Sequence, residues 1–243
     1  DLAAGACVRR ALAALNAAIT AHPPAWPEQP VRVATPVGDV VIGTTGADRF
    51  AEPAILILDP GGDDLYCEAA GFANGLCGRP LACILDLGGD DRYRGSGLLA
   101  PGAALFGVAC LWDRAGNDVH TAAYAGAGGA YFGAAWVDDE AGDDVYRARG
   151  MSQGAATVGA AVLRDMAGQD RYDIGLCGQG YAGVRGVGLL IDGAGNDCYH
   201  AGGWRPDLGR NDGRYLSLSQ GYSIGMRPFA GGGLAALVDL GGN

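Results

Sequence analysis

Short apolar runs, each closed by an aspartate, recur along most of the chain: Ile55–Leu58, Ala82–Leu85, Ala109–Trp112, Ala161–Leu163, Gly188–Ile191 and Ala235–Val238. Runs this short, bounded by turn residues, predict buried β-strands. Two positions before each Asp stand Ile57, Ile84, Leu111, Val137, Leu163, Leu190 and Leu237. Four before it stand Ile55, Ala82, Ala109, Ala135, Ala161, Gly188 and Ala235. Residues two apart share one face of a strand, so a large column and a mostly small column face inward together. Gly107, Gly133, Gly159, Gly186 and Gly233, six before the Asp, predict a sharp bend or a close approach of backbone.

The Asp opens a turn of the form D-x-x-G-x-D-x-Y or a close variant. Six full copies begin at Asp59, Asp86, Asp113, Asp139, Asp165 and Asp192, and their second carboxylates are Asp64, Asp91, Asp118, Asp144, Asp170 and Asp197. The first Asp recurs after 27, 27, 26, 26 and 27 residues. A degenerate copy, Gly43–Phe50, precedes them, and a seventh opens at Asp239 and stops at Asn243, as expected of a chain trimmed within an array. A coil of this length holds three short strands and three turns. The expected fold is therefore all-β, a parallel β-helix or solenoid of 26–27-residue coils. Seven coils at the strand spacing of ~4.8 Å would make a rod about 34 Å long. Propeller blades repeat at ~40 residues or more.

Residues 2–21 differ. Leu2, Cys7, Val8, Ala11, Leu12, Leu15 and Ile19 fall at helical spacing, and Pro23 and Pro24 end the pattern. An amphipathic helix here is expected to cap the open end of the solenoid. The chain divides into residues 1–30, helix and linker, and residues 31–243, the repeats, with an insertion at about 200–219.

Composition agrees with close backbone packing: 44 of 243 residues are Gly. The net charge is −10; all 17 basic residues are Arg, and Glu28, Glu52, Glu68 and Glu140 are the only Glu among 27 acids. That balance disfavours nucleic acid, whose phosphates need clustered cations. No apolar run reaches the ~18 residues of a membrane span. Seven Cys without a C-x-x-C, and three His, do not give the spacing of a Cys/His zinc site.

Stacking places each first Asp ~5 Å from the next, and each second Asp likewise. Two unit charges at that distance repel by roughly 3 kcal/mol at an effective dielectric of ~20. Two readings offset this. Carboxylate and carbonyl oxygens around a Gly-rich turn are the ligand set of a hard cation such as Ca²⁺, which makes all twelve motif aspartates candidate metal ligands. Alternatively, the carboxylates cap turns by accepting backbone N–H groups, with Arg92, Arg114 or Arg171 as ion-pair partners. The turn of Asp192–Tyr199 also resembles the RTX-type calcium-binding repeat, G-G-x-G-x-D-x-U-x, from its second position onward. The resemblance covers about eight residues per coil, and its first Gly is Asp here. It implies Ca²⁺ at the second aspartate of each turn.

The column Tyr66, Tyr93, His120, Tyr146, Tyr172 and Tyr199 is expected to stack as a structural ladder, with sugar binding as the other use of such rings. His120 is expected to be a packed neutral ring. From Asp192 to Asp239 is 47 residues, one coil plus 20. The extra segment concentrates His200, Arg205, Asp207, Arg210, Asp212 and Arg214, the catalytic candidates, with Trp204 and Tyr215 as ligand-binding candidates. Gln153, Gln179 and Gln220 recur mid-coil, either as an amide ladder or as a polar ligand face. Cys177 has no nearby His and no thiol-catalyst signature. There is no G-x-S-x-G, H-E-x-x-H or P-loop.

Two functions follow as expectations. One is a calcium-binding solenoid, extracellular or periplasmic, serving as a structural or recognition module for a polysaccharide or another surface protein. The other is a carbohydrate-active enzyme, a lyase or hydrolase, by analogy with other parallel β-helices.

Overall fold

A computed structural model describes residues 2–67, 69–210 and 212–242. The chain winds a parallel β-solenoid with three sheets, one per face of the coil. One coil shows the plan: Val108–Asp113 lies in the first sheet, Val119–Ala122 in the second and Gly129–Tyr131 in the third. The first sheet has nine strands, the second seven and the third four. The repeats make about five full coils, fewer than the seven expected. Strands of the third sheet form only between Ala73 and Thr157, and beyond them that face continues as isolated bridges at Ala182 and Ser223.

The predicted inward columns form in register. Leu111 pairs with Ile84 and Val137, and Ala109 with Ala82 and Ala135. The large column packs on the buried aromatic column of the second sheet. The small column meets Ala73, Ala104, Ala130 and Ala156 of the third sheet, in a core made entirely of alanine. The first and third sheets therefore approach too closely for larger side chains.

The motif glycine lets the turns nest. Gly89, Gly116 and Gly142 have φ of +149°, +158° and +154°, and a Cβ on Gly142 would lie 1.5 Å from the Gly116 carbonyl oxygen. No other residue type fits such a stack.

The N-terminal helix, α1, spans Leu2–Ala21. Its position corrects the expectation of an end cap. Leu12, with Val8, Leu15 and Ile19 beside it, packs on Leu58, Cys83, Leu85, Cys110 and Trp112, which face outward from the first sheet. These outward residues are apolar, and α1 removes them from water. The N-terminal edge of that sheet is instead occupied by Val31–Thr35, antiparallel to Gly38–Ile42. Asp138, fully buried, fixes α1 by accepting from Arg9 at 2.5 Å and from Arg164 at 2.6 Å.

Candidate functional site

Each first aspartate ends a strand of the first sheet and points inward like the residue two before it. Asp59, Asp86, Asp113, Asp139, Asp165 and Asp192 are all fully buried. The Oδ1 of Asp59, Asp86 and Asp113 accepts the N–H two residues ahead at 2.9–3.1 Å, the predicted turn cap. From Asp86 onward, first-aspartate oxygens also meet the aromatic ladder, while the Oδ2 of Asp59 accepts no bond. Tyr66 donates to Asp86 at 2.5 Å, Tyr93 to Asp113 at 2.6 Å, Tyr146 to Asp165 at 3.0 Å and Tyr199 to Asp192 at 2.7 Å.

The second aspartates make a different ladder. The N–H of Asp64 donates to Asp91, that of Asp91 to Asp118, of Asp118 to Asp144, of Asp144 to Asp170, and of Asp170 to Asp197, at 2.6–2.8 Å. Every bond uses Oδ1. The Oδ2 atoms of Asp64, Asp91, Asp118, Asp144, Asp170 and Asp197 are buried and accept no hydrogen bond. The two sequence readings are therefore compatible: one oxygen caps backbone and the other is left over. Expected arginine partners do not reach these columns. Arg171 pairs with Asp173 and Arg114 with Glu140, because the carboxylates lie inside the coil and the guanidinium groups outside it. Outside the turn, Asp63, Asp90, Asn117 and Asp143 form a third, exposed ladder by accepting N–H groups of the next coil.

Carboxylate oxygens of successive turns converge. Single oxygens of Asp64, Asp86 and Asp91 lie within 4.8 Å of one another, as do those of Asp91, Asp113 and Asp118, of Asp139, Asp144 and Asp165, and of Asp48, Asp59 and Asp64. A further such group joins Asp118, His120 and Asp139. Burial raises the proton affinity of Asp59, Asp64, Asp91, Asp144 and Asp165, and neighbouring carboxylates add to it at Asp113 and Asp139. Burial takes Asp118 to about 9, with the Asp113 side chain and the Asp91 N–H acting against the shift. Each coil thus carries two buried carboxyls that need either protons or a cation to lie side by side.

The aromatic ladder runs from Phe50 through Tyr199 with centroids 4.5–5.0 Å apart. Tyr66, Tyr93, Tyr146 and Tyr172 are fully buried and offer no surface to a sugar, while Tyr199 is half-buried. His120 holds its place in the stack, and burial pushes its imidazole down to about 3, leaving it neutral.

The insertion is a short antiparallel hairpin, Arg205–Pro206 with Tyr215–Leu216, and it divides the predicted site residues. His200 and Trp204 turn to the outer face of the second sheet. There they line an open groove of about 370 Å³ with Thr121, Arg147, Arg149 and Asp173. Arg149 stacks over the Trp204 ring at 5.9 Å. Asp173 pairs with Arg171 at 2.7 Å, Arg147 at 3.5 Å and His200 at 3.6 Å. The guanidinium of Arg171 is the main cause holding the Asp173 carboxyl below its usual range. Asp207, Arg210, Arg214 and Tyr215 line a separate cavity of about 240 Å³. Asp207 pairs there with Arg210, and Asp212 with Arg214 at the hairpin tip. Arg205 is exposed and acts on Cys177, whose thiol burial pushes up, away from the reactive thiolate. The catalytic candidates thus do not form one constellation.

Gln153 and Gln179 take equivalent places in successive coils, but they lie in the core and do not form the expected amide-to-amide ladder. Their amides donate to the carbonyls of Tyr146 and Asp173, and of Tyr172 and His200, tying coil to coil. Gln220 joins through its backbone and is exposed. The sequence reading missed Thr121, Arg147 and Asp173. They stand three residues after Asp118, Asp144 and Asp170, and carrying the repeat alignment past the Tyr aligns them with His200. All seven cysteines are free, and no helix among the described residues is long and apolar enough to cross a membrane. Comparison with known protein families, characterised proteins and solved structures returns no match, so function is read from the site itself.

Proposed function

We propose that the two aspartate columns bind divalent cations, Ca²⁺ foremost, in a solenoid that serves outside the cell or in the periplasm as a structural and ligand-recognition module. The carrying observation is the row of buried Oδ2 atoms of the second aspartates that accept no hydrogen bond, in residues belonging to carboxylate clusters with oxygens within 4.8 Å of one another. The neutral alternative is a proton held between the two carboxyls of a turn, such as Asp113 and Asp118, and metal analysis distinguishes it from a cation. Two buried carboxylates per coil match the charge of one divalent cation per coil. Hard oxygen donors select Ca²⁺ over softer metals, and sites that fill at millimolar calcium suit an external location.

Elemental analysis and thermal unfolding test this. A site filled at 100 times its Kd adds about 2.7 kcal/mol, or several degrees in Tm for a domain of this size. The protein should bind several Ca²⁺ and lose Tm on adding chelator. Absence of bound metal together with an unchanged Tm would refute the reading.

The groove beside Trp204 is the recognition surface in this reading, fitted to a saccharide by an indole platform among Arg, Asp, His and Thr. Its chemistry favours binding over hydrolysis. Glycoside hydrolysis uses two carboxyl groups, one of them protonated, whereas Asp173 is the only carboxylate among the described residues lining the groove and is held ionised by Arg171. An acidic oligosaccharide should bind the full chain and lose affinity when residues 201–218 are deleted. Undiminished binding by the deletion protein would remove the groove from the reading.

A further inference from the structure

His120 breaks the ladder at one coil, and the break leaves both imidazole nitrogens without partners. In neighbouring coils the phenol reaches the first aspartate of the next coil, as Tyr93 does to Asp113. The imidazole is shorter. Its Nε2 stops 4.0 Å from Oδ2 of Asp139, beyond hydrogen-bond length. Both ring nitrogens are buried and make no hydrogen bond, although only 3% of the residue is exposed. Oδ2 of Asp118 and Oδ1 of Asp139 are likewise buried and bond-free. One atom from each of the three residues lies within 4.8 Å of the others.

We propose that Asp118, His120 and Asp139 form a nitrogen-bearing metal site of a different class from the rest of the columns, selecting a borderline cation such as Zn²⁺ over Ca²⁺. A tetrahedral metal about 2.0–2.1 Å from each ligand would hold Nε2 and Oδ2 about 3.3–3.4 Å apart, so they must close by ~0.6 Å from 4.0 Å and Oδ2 must exchange the Tyr146 hydroxyl for the metal. Imidazole favours Zn²⁺ and its neighbours, while the carboxylate-only clusters favour Ca²⁺. Sequence spacing argued against zinc because it searches for Cys and His close in the chain. Here Asp118 and Asp139 reach one point from consecutive coils, with His120 between them in sequence. The inference rests on the cation reading only in treating the carboxylates as ligands; its metal and its test differ.

The test uses Zn²⁺, Co²⁺ and Ca²⁺ on the full chain and on His120→Tyr, which restores the phenol of the neighbouring coils and should fold. His120→Phe is the second variant, since Phe50 already stacks in the ladder. The expected result is one tight Zn²⁺ or Co²⁺ equivalent in the unaltered chain. Both variants should weaken it at least tenfold, lose the Co²⁺ visible bands of a nitrogen ligand, and retain their Ca²⁺ count. Equal Zn²⁺ affinity and equal Co²⁺ spectra in the three proteins would overturn the proposal. Zn²⁺ bound through His120 with no Ca²⁺ bound anywhere would overturn the calcium reading and leave this one standing.

Discussion

The backbone N–H of Asp91 donates to the Oδ1 of Asp118, one coil further on, at 2.7 Å. The same geometry joins Asp64 to Asp91 at 2.6 Å. Each second aspartate is thus a structural acceptor and a buried charge at once, and two substitutions separate those roles. Asp91→Ala removes the acceptor and strands the Asp64 N–H, at a cost of about 1–3 kcal/mol with or without metal. Asp91→Asn keeps an acceptor oxygen and removes the charge. In chelator it should be as stable as the unaltered protein or more so, and it should gain less from Ca²⁺. Urea unfolding in both media reads the difference, and equal losses for Ala and Asn would assign Asp91 to capping alone.

The metal-free protein should lose stability as pH rises. Asp59, Asp64, Asp91, Asp113, Asp139, Asp144, Asp165 and Asp170 have folded proton affinities above the ordinary carboxylate value of 3.8, and Asp118 reaches about 9. The folded state therefore binds more protons than the unfolded state between those values, so stability is full below the lower and falls toward the upper. His120 acts in the opposite sense: lowered from 6.5 to about 3, it costs stability only below 6.5. Between pH 6.5 and 9 the carboxyls act without it. Each whole proton of difference lowers stability by ~1.4 kcal/mol per pH unit. Denaturant midpoints in chelator across that window should fall steadily, and added Ca²⁺ should flatten the slope. A flat profile in chelator would remove the charge problem that the cation is proposed to solve.

The solenoid was legible in the sequence because its period is written in residues that physics forces. Gly142 is the residue its φ and its neighbour's carbonyl allow, and Leu111 and Ala109 sit where their volumes fit. The candidate ligands were legible for the same reason: Asp59 and Asp64 recur with the turn. What escaped lies on outward faces, where no packing constraint imposes a pattern. Asp173 and Arg147 become a groove only when four coils are stacked and Trp204 folds over them. The helix was placed on the wrong surface because the apolar spacing of Val8, Leu12 and Leu15 reveals a buried stripe and not what buries it. The partner stripe, Cys83, Leu85, Cys110 and Trp112, alternates with the inward columns and reads equally as a strand buried on both faces.

Gly142→Ala should be among the most damaging small substitutions in the chain. The new Cβ meets the Gly116 carbonyl oxygen at 1.5 Å, on a backbone with φ of +154°. Both the strained dihedral and the clash act against rigid backbone, so the loss should reach at least ~3 kcal/mol. Gly97→Ala is the control, since nothing lies within 4 Å of its added Cβ. Thermal melts of the pair should separate by ten degrees or so at ~2–4 °C per kcal/mol. Similar melting temperatures would show that the turns do not nest as closely as described.

Arg9→Ala should release the helix without unfolding the solenoid. Arg9 is the link between α1 and the buried Asp138, and its guanidinium also lies 5.7 Å and 5.3 Å from the centres of Trp112 and Trp136. Arg164 still neutralises Asp138 after the substitution, and the Arg9 side chain is about a quarter exposed. The loss is therefore smaller than for stranding a buried charge, about 1–3 kcal/mol after allowance for solvent screening. That is enough to favour local opening of an element whose remaining hold is one apolar stripe. The strands beneath keep their ladder bonds, so far-UV circular dichroism should show loss of helix with the β signal intact. Tryptophan emission should shift to the red as Trp112 and Trp136 meet water, and protease should cut first near His22. Asp138→Ala leaves two arginines without their carboxylate and should give the same pattern with a larger loss. If instead Arg9→Ala melts helix and strands together, α1 is an integral part of the solenoid core and not a cover laid over its first sheet.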